Sequence, residues 1–183
     1  INAHRGKTFV IHLAGKALLY ANFGNVINDI ALLYSLGVKL VLVFGATPQI
    51  EASLDSTDKQ WPQSDQVRVT APDILGDVLS AIGRTGTELE AKLSMGRSPM
   101  QGLDILVTSG NFIKAKPLGI VNGIDFHHTG ATRRVNSKAI KAQLAGDAIV
   151  VVPPIGYSPS GETFVLSSRE LARDIACALV SEK

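Results

Sequence analysis

The run Thr8-Phe9-Val10-Ile11-His12-Leu13-Ala14-Gly15-Lys16 reads as a buried strand passing straight into a glycine turn. Chains use that layout to bring backbone N–H groups close to an anion. A phosphoryl-transfer site built on such a strand needs a lysine or arginine at its last turn, aimed at the charge on the transferred group, and the residue offered there is His12. A neutral imidazole is a poor replacement for a fixed cation. Lys16, just past the turn, reads as a solvated residue at the start of a surface segment. Asp29 reads as a solvated or capping-network carboxylate on the following helix. His127-His128 suggests metal ligation only until geometry is considered: adjacent strand residues point to opposite faces, and no carboxylate or cysteine cluster completes a set, so no metal site is expected. Cys177 is the only cysteine, and its apolar neighbours Ile175, Ala176, Ala178 and Leu179 predict a core position in a reducing compartment.

Composition narrows the classes further. A chain of 183 residues with 45% apolar content suits one compact domain with an ordinary core. Its 18 basic and 16 acidic residues leave a net charge of +2, and Arg133-Arg134 is the only adjacent basic pair, so no nucleic-acid footprint is expected. No run approaches the roughly 20 apolar residues that span a bilayer, and the N-terminus lacks a secretory layout, so neither membrane nor export is expected and the location is read as cytoplasmic. The chain begins at Ile1 and stops at Lys183 directly after an amphipathic helix, which reads as one part of a longer domain.

The elements that must position these residues follow an α/β grammar. Asn22 is placed to cap a helix with apolar positions Val26, Ile27, Ile30, Leu33, Tyr34 and Leu36, ended by Gly37. Val38 to Phe44 is almost continuously apolar, as in a strand covered on both faces of a parallel sheet. Thr47 as N-cap and Pro48 in the first helical position start a second helix that stops near Asp55. A polar loop runs to Gln66, and Pro72-Asp73 opens a helix supported by Ile74, Val78, Leu79 and Ile82, followed by a separate helix from Thr87 to Met95. From Gln101 to Val135 short runs broken by glycines predict a twisted antiparallel flap. A helix over Ser137 to Leu144 capped by Gly146, a buried strand Ala148 to Val152 and a final helix from Ser168 to Ser181 complete the series. Such a scaffold opens a cleft at the carboxyl ends of its parallel strands, where Gly15, Gly45 and Arg68 should converge.

The ordered segments Phe9 to Gly15, Val41 to Ile50, Arg68-Val69-Thr70, Ala91 to Ser94, Ser109 to Phe112 and Gly123 to Phe126 resemble the amino-acid kinase fold. Within it they are most similar to the N-terminal domain of the bacterial N-acetylglutamate synthase family. The resemblance implies a three-layer α/β/α architecture with a mainly parallel sheet, here its N-terminal half plus a hairpin flap, as one domain over residues 1–183. It implies that the catalytic acetyltransferase domain lies outside this chain. Acetyl-CoA is then a substrate of the whole enzyme, which makes N-acetylglutamate from L-glutamate in the first step of arginine biosynthesis. The kinase-like domain is expected to serve assembly into a homo-oligomer and feedback by arginine, with no catalytic or cofactor-binding residues of its own.

The sibling acetylglutamate kinases share the fold, and this chain departs from them where the chemistry lies. His12 stands where they carry a lysine, Gly45-Ala46-Thr47 adds side chains to their glycine-rich turn, and Arg169 in Val165-Leu166-Ser167-Ser168-Arg169 falls at the place of their organising aspartate. A cation in place of a carboxylate reverses the local field. Arg68 matches an arginine that pairs with a substrate carboxylate, and a salt bridge holding a loop to the sheet is the equal alternative. The candidate ligand cleft is therefore His12, Gly15, Gly45, Ala46, Thr47 and Arg68. The rival readings are an active phosphotransferase of the kinase type that uses Lys16 in a rearranged site, a purely structural assembly module and, as a weaker third, a nucleotide-binding regulator.

Overall fold

The computed structural model describes residues 4–95 and 104–181. Strand β1 (Thr8–Leu13) leads through a single 3-10 turn to helix α1 (Phe23–Ser35), β2 (Lys39–Phe44) and α2 (Thr47–Asp55). A small hairpin, β3 (Gln63–Ser64) and β4 (Val67–Arg68), precedes the long helix α3 (Pro72–Leu93). Then come β5 (Leu106–Thr108), β6 (Ile113–Pro117), the hairpin β7 (Ile120–Val121) and β8 (Ile124–Asp125), β9 (Gly130–Val135) and α4 (Ser137–Ala145). Strand β10 (Ala148–Val152), the hairpin β11 (Ile155–Tyr157) and β12 (Thr163–Val165), and α5 (Ser168–Ser181) close the chain.

The central sheet has the order β1-β2-β10-β5 and is parallel throughout. Alternation along its strands divides the core. Leu40, Leu42 and Phe44 of β2 with Ile149 and Val151 of β10 face one cluster, together with Ile30 of α1, Ile50 and Leu54 of α2, and Ile74, Val78 and Ile82 of α3. Val41, Val43, Val150 and Val152 face the other, with Ile140 and Leu144 of α4 and Leu171 and Ile175 of α5. Burial on both faces explains the continuous apolar runs, and the expected three-layer α/β/α architecture is observed. A second sheet, β12-β11-β6-β9, lays Ile113, Ala115 and Phe164 on the second cluster.

Several local expectations are corrected. The helix read as two pieces is one, Pro72–Leu93, because Ile74, Val78, Ala81, Ile82, Thr85, Leu89 and Leu93 form one continuous buried stripe. The N-cap of α2 is Ala46, and neither it nor Asn22, the N-cap of α1, makes a side-chain capping bond. Leu106–Thr108, read as part of the flap, pairs with β10 in the parallel sheet, while β6 and β9 are antiparallel as expected. Gln101 to Leu103, Met95's neighbour Gly96 and the segment between them lie outside the described residues. Cys177 is exposed: it sits two residues past buried Ile175, on the far side of a helix whose buried stripe is Leu171, Ala172 and Ile175.

Candidate functional site

Parallel pairing of β1 with β2 brings Leu13 opposite Phe44, so the turns that follow both strands meet at one end of the sheet. They meet tightly. The Gly45 amide donates to the Leu13 carbonyl at 2.8 Å, and Gln49 Nε2 donates to the Gly15 carbonyl at 2.8 Å. A Cβ on Gly15 would come within 2.8 Å of Gln49 Oε1 and 3.0 Å of the Gly45 carbonyl oxygen, and one on Gly45 within 2.9 Å of Ser168 Oγ. Gly15 is required by close backbone approach, and Gly45 by the Ser168 hydroxyl together with the Gly15 nitrogen, 3.2 Å from such a Cβ. The approach is between the two turns themselves, and the Gly45 N–H that an anion would want is already spent on Leu13.

His12 is on the face of β1 that turns toward α5, and its Nε2 lies 2.9 Å from Ser168 Oγ at the start of that helix. Burial, and then the charge of Arg169, hold its pKa below the ordinary 6.5, so the imidazole is neutral at pH 7. A neutral ring bonded to a hydroxyl orients that hydroxyl and supplies no charge to a phosphoryl group. Ala46 is buried and Thr47 is exposed at the first turn of α2.

Of the predicted cleft residues, His12, Gly15, Gly45 and Ala46 gather at this point, with Thr47 at its rim. Arg68 is committed elsewhere. Its guanidinium pairs with Glu51 of α2, donates to the Trp61 carbonyl at 2.7 Å and lies 5.0 Å over the Trp61 ring. The buried hydroxyls of Thr70 and Thr129, 2.9 Å apart, fix its backbone, since Thr129 Oγ1 donates to the Arg68 carbonyl at 2.7 Å and Trp61 Nε1 donates to Thr70 Oγ1 at 3.2 Å. Lys16 and Asp29 are exposed. His127 and His128 turn apart, one 3.5 Å from Asp125 and the other with Nδ1 3.2 Å from the Thr163 carbonyl.

Sequence reasoning missed Ser168 and Gln49 as members of this cluster. Ser168 was within the segment singled out for Arg169, and Gln49 two residues beyond Thr47. Neither has a distinctive residue type, and only the contact between two turns reveals them. At the opposite end of the sheet, Tyr34, Gly37, Lys39 and Asp147 line a shallow cavity of about 200 Å³, where Lys39 Nζ donates to Asp147 at 2.5 Å and the Tyr34 hydroxyl donates to the Asp147 carbonyl at 2.7 Å. Its polar groups satisfy one another. Among the described residues no helix is long and apolar enough to cross a membrane.

With that geometry in view, the likeness to known proteins is specific. The model of the amino acid kinase family matches residues 7–183. The amino-acid acetyltransferase of Buchnera aphidicola subsp. Schizaphis graminum is 47% identical over 185 residues, an alignment covering 100% of this chain and 42% of that protein. The amino-acid acetyltransferase of Ectopseudomonas mendocina is 44% identical over 100% of this chain and 43% of its own length. The crystal structure of N-acetylglutamate synthase from Neisseria gonorrhoeae, complexed with coenzyme A and L-arginine, superposes with a TM-score of 0.88 at 30% identity, over 96% of this chain and 42% of that one. The chain thus spans less than half the length of the curated relatives it matches.

Proposed function

The chain belongs to the amino acid kinase family, and from that premise we propose that it is the non-catalytic, kinase-like domain of a longer amino-acid acetyltransferase. The whole enzyme transfers the acetyl group of acetyl-CoA to the amino group of L-glutamate, giving N-acetylglutamate at the first step of arginine biosynthesis. One observation carries the reading. The chain is 47% identical along its whole length to an amino-acid acetyltransferase, while the strand end where a kinase would aim a cation holds a neutral His12 tied to Ser168.

Arginine is the effector of the longer protein, a role supported by the likeness to a synthase complexed with L-arginine. This domain passes the effect to the acetyl-transfer site by favouring one arrangement of domains over another, in a cytoplasmic homo-oligomer. The turns around Gly15 and Gly45 act as a packed joint between β1, α2 and α5. The test is acetyl transfer to glutamate by the full-length enzyme, with and without arginine, beside the same enzyme lacking residues 1–183. Arginine-sensitive transfer that becomes insensitive on removal is expected. Sensitivity that survives removal overturns the regulatory role, and ATP-dependent phosphorylation of N-acetylglutamate by the 183-residue chain returns it to the phosphotransferases.

A further inference from the structure

The sheet β12-β11-β6-β9 turns Ile113, Ala115 and Phe164 into the core, and its outer face carries an arrangement that stability does not explain. Lys114 of β6 stands directly opposite Arg134 of β9, and both are exposed. Side chains so opposed have Cβ atoms about 5 Å apart, and like charges there are destabilising. The register then shifts between Lys114 and Ala115, which leaves Arg133 without a partner of its own. In such a bulge two residues of one strand face a single residue of the other, so Arg133 and Arg134 together oppose Lys114, and Arg133 is exposed as well. Lys116 lies two residues along β6, on the same face and about 7 Å from Lys114. Among the described residues, none of the ion pairs involves these cations, although Lys39, Lys59, Arg68 and Arg173 each have a carboxylate partner. Tyr157 of β11 pairs with Lys114 in the same cross-strand row and is half-buried at the edge of the patch.

We propose that this face binds a small molecule carrying a diphosphate group. Unpaired cations held against one another by a strand register and a bulge call for an anion of high charge density. The footprint, two residues along a strand and one strand across, matches two linked phosphate groups and is far below the roughly 800 Å² that each partner contributes to a stable protein interface. Arg133 and Arg134 supply forked donors for phosphate oxygens, and Lys114 and Lys116 supply point charges. The other basic residues are scattered, so the face does not extend into the track a nucleic acid requires. Tyr157 offers ring surface beside the charges for a flat group joined to the phosphates. The inference stands on this sheet alone and does not depend on the acetyltransferase reading.

Calorimetric titration of the 183-residue chain with inorganic pyrophosphate tests it, with orthophosphate as the single-phosphate control and ADP and coenzyme A as carriers of the same group. Pyrophosphate should bind at least tenfold more tightly than orthophosphate, weaken as salt rises, and lose at least tenfold in the Lys114→Gln, Arg134→Gln double variant. Tighter binding of ADP or coenzyme A that Tyr157→Ala reduces to the pyrophosphate level identifies a nucleotide-type ligand; equal affinity identifies the free diphosphate. Equal affinity for pyrophosphate and orthophosphate, or an unaffected double variant, overturns the proposal. Preference for oligoglutamate over pyrophosphate also overturns it and assigns the face to an acidic protein. Arg134→Gln supplies a readout independent of ligand: relieving the like-charge opposition raises the thermal midpoint of the free chain, and a lowered midpoint would show that the cations serve the fold instead.

Discussion

At position 12 burial and, after it, the Arg169 guanidinium oppose a positive charge on the imidazole. The folded chain therefore takes up this proton less readily than the unfolded chain, where the ordinary value of 6.5 applies. In the interval below 6.5 the unfolded state holds more protons, so stability rises with pH across that window and is lost as pH falls through it. His12→Gln keeps a hydrogen-bonding group near Ser168 without a titration and should flatten this acid limb in urea unfolding measured from about pH 5 to pH 8. An unchanged slope would place the acid sensitivity in other groups. Gly45 makes a second claim at this scale. A methyl there meets Ser168 Oγ at 2.9 Å and the Gly15 nitrogen at 3.2 Å, so Gly45→Ala should cost about 1–3 kcal/mol. Removing the hydroxyl with Ser168→Ala takes away the nearer obstacle, and the double variant should fall short of additivity by on the order of 1 kcal/mol. Strict additivity in a denaturation cycle would mean that the two turns and α5 do not share one packed joint.

Helix α3 shows what separates a glycine that packs from one that only weakens a helix. Gly83 is exposed, with nothing near a Cβ placed on it, and Gly83→Ala should stabilise by about 0.8–1 kcal/mol through helix propensity alone. At Gly86 the same methyl meets the Phe44 ring at 3.2 Å, and that ring is fully buried and cannot swing aside, so Gly86→Ala should gain nothing or lose stability. Thermal midpoints decide it: about 2–4 °C upward for Gly83→Ala and no rise for Gly86→Ala. The same glycines fall between the two helices that the sequence suggests, since Gly83 and Gly86 look like a break until the buried stripe from Ile74 to Leu93 is seen to run through them. Where one signal dominates, the elements were legible: Val38 to Phe44 and Ala148 to Val152 carry enough apolar residues to require cover on both faces, and α5 begins at Ser168 as its periodicity indicated. The short hairpin of β11 and β12 carried no such signal, because its pairing is set by tertiary contact with β6. Cys177 was misplaced because apolar neighbours in sequence were read as neighbours in space, although a step of two along a helix from Ile175 leads to the other side. The cluster of His12, Gly15 and Gly45 was foreseeable from parallel topology, whereas Ser168 joins it from a helix 156 residues away in the chain.

For the molecule as a whole, the joint at the carboxyl ends of β1 and β2 ties both helical layers to the central sheet, with α2 on one side and α5 on the other. On the proposed reading, the contribution of a body so fastened to an enzyme of more than twice its length is to be positioned, not to react. Coupling of that kind has a thermodynamic signature independent of any pathway. If arginine changes the affinity of the longer enzyme for coenzyme A by some factor, coenzyme A must change the affinity for arginine by the same factor. Typical couplings of 1–3 kcal/mol correspond to roughly 5–150-fold, large enough to read by calorimetry. Titrating arginine into the full-length enzyme, free and saturated with coenzyme A, and then reversing the order should give one common factor different from unity. The enzyme lacking residues 1–183 should give a factor of one from either direction, because on the proposed reading the body that links the two equilibria has been removed. A factor of one in the intact enzyme would show that arginine, if it binds at all, does not act on the arrangement of domains, and the kinase-like domain would then be left with assembly as its role.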